Sequence, residues 1–174
     1  MSGHGSEPPH PGEIRPFSFP EVISGELDNG LETRVARLPR VAMASATVVL
    51  NAGEGWLSDE RAGLAVVTGD CLEGGTDQRS GADLAEALER LGASLSVSTG
   101  WDATTISLSC HADRLEEAFP LLAEVIREPA FPEEEVARIR NQQLASLEQR
   151  KMVPSKLAVD HALAAIFSDD IPFS

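Results

Sequence analysis

Basic residues are scarce. Fourteen stand against 28 acidic ones, a net charge of −14, and Lys151 and Lys156 are the only lysines in 174 residues. Phosphate binding needs a basic face, so nucleic acid is excluded as a natural partner, and an anionic membrane surface is disfavoured for the same reason. Cysteine is scarcer still: Cys71 and Cys110 are too few for a disulfide framework or a zinc ribbon, and each reads as a small buried hydrophobe. Tyrosine is absent altogether. No apolar run approaches the roughly 20 residues of a membrane-spanning helix. Met1–Pro20 lacks the basic-then-apolar pattern of a secretory signal, which makes the cytoplasm the expected compartment.

What remains is ordinary globular composition, 42% hydrophobic and 24% charged. A domain of this size buries about 70% of the surface its unfolded chain exposes, so neither disulfides nor a structural metal is needed for folding. Residues 1–20 are rich in Pro, Gly and Ser, have no apolar period, and read as a disordered leader; one domain is expected over 21–174. Asp28, Asn29 and Gly30 form a hairpin turn signal before a strand from Leu31 to about Arg37. Ala44–Asn51 is nearly continuous in apolar residues, the pattern of a central strand. Ser58 or Asp59 is expected to cap a helix reaching Leu72. Ser80 with Asp83 has the capping-box spacing, Leu84, Leu88 and Leu91 make one stripe, and Gly92 stands where a left-handed cap belongs. Ala93–Thr99 and Thr104–Cys110 alternate at period two, giving a hairpin with one Ser/Thr-rich wet face.

The last third is helical. Leu115, Phe119, Leu122 and Ile126 share a face, with Pro120 set to kink that helix or delay its start. Glu133–Glu135 suit the first turn of the next helix, whose expected buried stripe is Val136, Ile139, Leu144 and Leu147. After Pro154 a final helix gathers Val159, Leu163, Ile166 and Phe167. The pattern as a whole is α+β.

Most catalytic constellations are excluded by inspection. Neither lysine follows a glycine-rich turn, and no G-x-S-x-G elbow is present. Gly53 and Gly55 lack the third glycine of a dinucleotide fingerprint and read as a turn. His111 beside Cys110 is either part of a metal site or a solvated strand end, and His161 falls off its helix's apolar stripe. Trp56 and Trp101 lie in turns, as binding anchors or as lids over the core. No acidic pair is singled out for acid and base work, so residue chemistry alone identifies neither catalytic nor metal residues.

The order and wording of the segments go further. Leu27–Leu31 (LDNGL), Val48–Gly53 (VVLNAG), Gly63–Thr76 (GLAVVTGDCLEGGT), Leu84–Leu95 (LAEALERLGASL), Phe131–Leu147 and the closing IPFS stand in sequence. Together they make residues 17–174 resemble the amino-terminal domain of the insulinase-like (pitrilysin, mitochondrial processing peptidase) zinc metallopeptidases. The resemblance implies a mixed, largely antiparallel sheet with helices packed on one face. The family's repeating unit is longer than this chain, which leaves open a truncated sequence.

Active members carry H-x-x-E-H on the helix equivalent to Gly63–Leu72. Positions i, i+3 and i+4 share a helix face, giving two imidazoles to zinc and a carboxylate to activate its water. Here the register places Val66, Gly69 and Asp70 at those positions, and the family's distal zinc glutamate falls at Ala145 or Ser146. The resemblance therefore implies a non-catalytic homologue with no cofactor of its own, zinc being expected only in a partner subunit. Restoring the motif with Val66→His, Gly69→Glu and Asp70→His is expected to give weak zinc binding, Gly69→Glu also gaining some tenths of a kcal/mol in helix propensity. The implied role is pairing, as a heterodimer or by self-association, with a homologous zinc-bearing peptidase and closing its chamber around a peptide substrate. A purely structural or assembly module is the alternative, and an enzyme with an unrecognised site is a third.

Overall fold

A computed structural model describes residue 12 and residues 18–166, dividing after Val41 into two units. Most of the expected leader, Phe167 and the closing IPFS lie outside the described residues. In the first unit β1 (Val22–Glu26) and β2 (Glu32–Ala36) pair antiparallel, with Ile23 opposite Val35. Their turn follows the sequence signal: Gly30 takes φ 82°, which glycine tolerates without strain, and Asn29 Oδ1 accepts the Leu31 N–H at 3.1 Å.

The second unit runs through β3 (Met43–Leu50), α1 (Leu64–Cys71), α2 (Gly81–Arg90), β4 (Ser94–Thr99), β5 (Thr104–His111), α3 (Leu115–Arg127), α4 (Glu133–Lys151) and α5 (Pro154–Ile166). Its sheet has the order β3-β5-β4, and both pairings are antiparallel. The α+β expectation therefore holds. The central strand is β5 rather than β3. Half of β3's apolar run consists of alternate residues that face outward, Met43 and Val49 among them, so only Ala46, Val48 and Leu50 pack on the core.

Period two sorts β5 cleanly. Ile106, Leu108 and Cys110 are fully buried beneath the helices, against Leu84 and Leu88 of α2 and Ala118, Leu122 and Val125 of α3. The intervening residues build the wet face, where Ser45 and Ser109 share a hydrogen bond at 3.1 Å and Thr47 and Ser107 one at 3.0 Å. The capping box on α2 forms as spaced: Ser80 Oγ accepts the Asp83 N–H at 3.2 Å and donates to Asp83 Oδ2 at 2.6 Å. Gly92 follows at φ 60°.

Three helix expectations need correction. Ser58 precedes only a 3-10 turn, Asp59–Arg61, without a side-chain cap hydrogen bond, and α1 begins later, after Gly63 in the left-handed region. Pro120 lies inside α3, which starts at Leu115, so it does not delay the helix start. The buried stripe there is Ala118, Leu121, Leu122 and Val125, so Phe119 and Pro120 face outward. On α4 only Ile139 of the expected stripe is buried; Val136 is half-buried, and Leu144 and Leu147 are more than half exposed. No helix among the described residues is long and apolar enough to cross a membrane.

Candidate functional site

The helix that the resemblance puts at the motif position, α1, is held at its start by a residue nine positions upstream of Gly63. Both Glu54 carboxylate oxygens accept backbone N–H groups, from Gly63 and from Val66, each at 2.8 Å. An anion is favoured at this end of a helix by the macrodipole and the unsatisfied donors. Glu54 is itself fixed against the β4–β5 turn, its N–H donating to Gly100 O at 3.0 Å and that of Gly55 to Trp101 O at 2.8 Å. Gly53 is required there, because a Cβ would overlap the Trp101 carbonyl. Trp56 completes the junction by donating Nε1–H to Asp102 O at 3.0 Å, with its ring two-thirds exposed, so it is no lid over the core.

Along α1, Val66 is half-buried, Gly69 buried and Asp70 exposed. Asp70 reaches α4, where Gln143 Nε2 donates to its Oδ2 at 2.7 Å. Ala145 and Ser146 lie exposed further along the same helix, so the partner that the fold brings to Asp70 is Gln143. Gly69 lies where α1 meets β4, and a Cβ built on it would overlap Thr99 Oγ1. That hydroxyl is engaged: Thr104 Oγ1 donates to Ala52 O at 2.7 Å, leaving Thr99 as donor in the 3.0 Å bond between the two threonines. The expected gain from Gly69→Glu is thus overturned, because the space that a side chain needs is occupied by a hydrogen-bonded threonine.

These residues do not fit zinc. A catalytic site needs about three protein donors. Val66 and Gly69 supply none, and the Asp70 carboxylate is shared with an amide. No group of three His, Cys, Asp or Glu side chains is arranged for a metal among the described residues. Cys71, next to Asp70, is 1% exposed, and its thiol is pushed above its ordinary range by burial and then by the Glu135 and Asp70 charges. A protonated, buried thiol is neither a ligand nor a nucleophile.

Two depressions flank the contact of α1 with α4. One, of about 470 Å³, is polar and lined by Asp70, Glu73, Glu135, Arg138 and Gln142. There Glu73 Oε1 accepts the Val97 N–H at 3.2 Å, occupying a donor of the edge strand β4, while burial raises its carboxyl above the usual range. Arg138 holds the Glu135 carboxyl below that range through hydrogen bonds at 2.8 and 2.5 Å. The other depression, of about 610 Å³, is apolar, formed by Leu64, Val66 and Val67 of α1 against Val136, Leu144 and Leu147 of α4.

His111 and His161 line neither depression. His111 is exposed and bonded through Nδ1 to Asp113 at 2.5 Å, and His161 is exposed on α5. Sequence reasoning missed Glu124, which is 9% exposed on α3. It accepts the Thr76 hydroxyl at 2.5 Å and pairs with Arg79, fastening the loop after α1 to α3. Nothing local marks such a residue, because its partners lie more than forty positions away.

Comparison with known proteins places this geometry. The family described as insulinase (peptidase family M16) matches residues 35–171. A probable mitochondrial-processing peptidase subunit beta of Arabidopsis thaliana is 29% identical over 153 residues, covering 87% of this chain and 28% of that protein. The non-peptidase homolog YmxG of Helicobacter pylori is 31% identical over 100 residues, covering 57% of this chain and 23% of that one. Among solved structures, the peptidase M16 inactive domain from Pseudomonas fluorescens superposes with a TM-score of 0.81 at 27% identity, covering 88% of this chain and 37% of that one. The chain thus spans between 23% and 37% of the length of these relatives.

Proposed function

The chain belongs to the insulinase family of peptidases, and from that premise we propose that it is a non-catalytic member, pairing with a homologous zinc-bearing subunit and forming part of its peptide-binding chamber. The observation that carries this reading is the state of the motif helix. Val66, Gly69 and Asp70 stand where two imidazoles and a carboxylate would hold and activate zinc-bound water, and Thr99 and Gln143 have taken up the space and the hydrogen bond. Without a metal, nothing here lowers the pKa of water from near 16 toward about 7. The similarity to an inactive M16 domain and to a non-peptidase homologue supports the same reading. Zinc, on this proposal, belongs to the partner alone.

Coexpression with an H-x-x-E-H homologue tests it. The two chains should copurify and cleave an unstructured peptide in a chelator-sensitive way, whereas this chain alone should bind far less than one zinc and cleave nothing. Stoichiometric zinc or chelator-sensitive cleavage in this chain alone refutes the proposal. A complex whose KM for peptide is indifferent to the surface of α1 and α4 would replace it with a purely structural role.

A further inference from the structure

The apolar groove beside the former motif carries two charges that nothing in the described chain uses. Arg61 and Arg140 both line it, and neither forms an ion pair among the described residues. Six other described arginines, from Arg34 to Arg150, have acidic partners, whereas Arg61 and Arg140, like Arg37, Arg40 and Arg127, have none among the described residues. Glu60 shares the rim, so the local balance is two positive charges to one negative. The floor and walls are aliphatic, with Leu64 at 49%, Leu144 at 53% and Leu147 at 55% exposure. Gln143 also lines the groove, its Nε2 spent on Asp70 and its carbonyl oxygen left as an acceptor.

We infer that this groove receives a short peptide segment bearing aliphatic or aromatic side chains next to carboxylates. The aliphatic walls take the side chains, Arg61 and Arg140 meet the acidic groups, and Gln143 offers an acceptor to a peptide N–H. Basic apolar segments are disfavoured by the same two arginines. The inference rests on the chamber-wall reading in one respect, that this surface handles peptide, and it adds which peptides. A volume of about 610 Å³ suits two or three side chains rather than a folded domain.

The probe is a fluorescent peptide of alternating Leu and Glu, compared by anisotropy with its Leu/Lys and Gly/Glu counterparts on the full chain. The Leu/Glu peptide should bind at least about fivefold tighter than either counterpart, and its binding should weaken with salt. Arg140→Glu, at an exposed position with no ion pair to lose, should cut Leu/Glu binding about fivefold or more and bring the Leu/Lys peptide up, with an unchanged thermal midpoint showing that the fold survives. Leu144→Ser should weaken both charged peptides together. Equal binding of the Leu/Glu and Leu/Lys peptides, or indifference to Arg140→Glu, overturns the inference. So does sedimentation as a dimer that the peptide fails to dissociate, since a second copy would then fill the groove. Copurification with the zinc-bearing homologue is read separately. Pairing without selective peptide binding defeats this inference alone, and selective binding without pairing defeats the chamber reading.

Discussion

Gly69→Ala sets helix propensity against packing in one measurable substitution. Replacing a glycine inside a helix by alanine ordinarily gains about 1 kcal/mol. At Gly69 the new methyl would overlap Thr99 Oγ1, which donates to Thr104 Oγ1 at 3.0 Å. Relief requires Thr99 to rotate, forfeiting a hydrogen bond worth about 1 kcal/mol, or α1 to move off β4, an overpacking cost of about 1–3 kcal/mol. Both match or exceed the gain, so the variant should gain nothing and be destabilised by up to about 2 kcal/mol. Urea unfolding measures it, and a double-mutant cycle with Thr99→Ala isolates the cause. In the Thr99→Ala background the clashing oxygen is gone, Thr104 keeps its bond to Ala52 O, and Gly69→Ala should become neutral or stabilising. A coupling below about 0.5 kcal/mol, or an unfolding midpoint raised by Gly69→Ala alone, would refute the reasoning. The same steric fact predicts that the Val66→His, Gly69→Glu, Asp70→His variant folds poorly and gains zinc affinity only when Thr99→Ala accompanies it.

Glu54→Ala should cost about 1–2 kcal/mol by stripping the carboxylate from two N–H groups of α1, read as a lowered thermal midpoint. Asp70→Ala should change stability by less than about 0.5 kcal/mol and leave any cleavage by the paired complex intact, because the one bond it makes among the described residues is an exposed one to Gln143. Burial raises the Glu73 carboxyl, so its ionisation opposes folding: the stability concerned is whole below the unfolded-state value and is lost as pH rises through the raised one. Glu73→Gln should thus match the parent below about pH 4 and gain on it toward neutrality, unless loss of the Val97 bond dominates, which a pH series of denaturant midpoints decides. Cys71 and Cys110 are 1% and 0% exposed, and native thiol labelling should be slow for both and accelerate only on unfolding.

Signals confined to a few neighbouring residues were legible from sequence. The turn at Asn29–Gly30, the Ser80–Asp83 box and the two alternating strands around the Gly100 turn all formed, because each is decided by local hydrogen bonds or by period two. Signals that depend on what covers a face were not. The α4 stripe assumed burial along its length, yet α1 has 8 residues and α4 has 19, so at 1.5 Å per residue the shorter helix spans less than half the longer one. Ile139 falls under that cover, while Leu144 and Leu147 are left to line the groove. The place of β3 failed likewise: apolar content does not report strand order, and β5 takes the centre through partners more than fifty residues away on one side.

The candidate site divides along the same line, with a consequence for its chemistry. On the proposed register, the absence of two histidines and a glutamate is visible in the order of residues along one helix, since i, i+3 and i+4 fix their face. What replaced them is not visible there, because Thr99 and Gln143 lie 30 and 73 positions from Gly69 and Asp70. Had the ligands merely been deleted, the helix would present an open polar surface to which side chains could be returned one by one. Instead Gly69 lets α1 close on β4, Gln143 ties Asp70 to α4, and Val66 faces an aliphatic groove, so each motif position is engaged in packing. Reversion therefore has to undo packing as well as restore donors, which is why a single histidine at position 66 or 70 should recover no measurable zinc affinity.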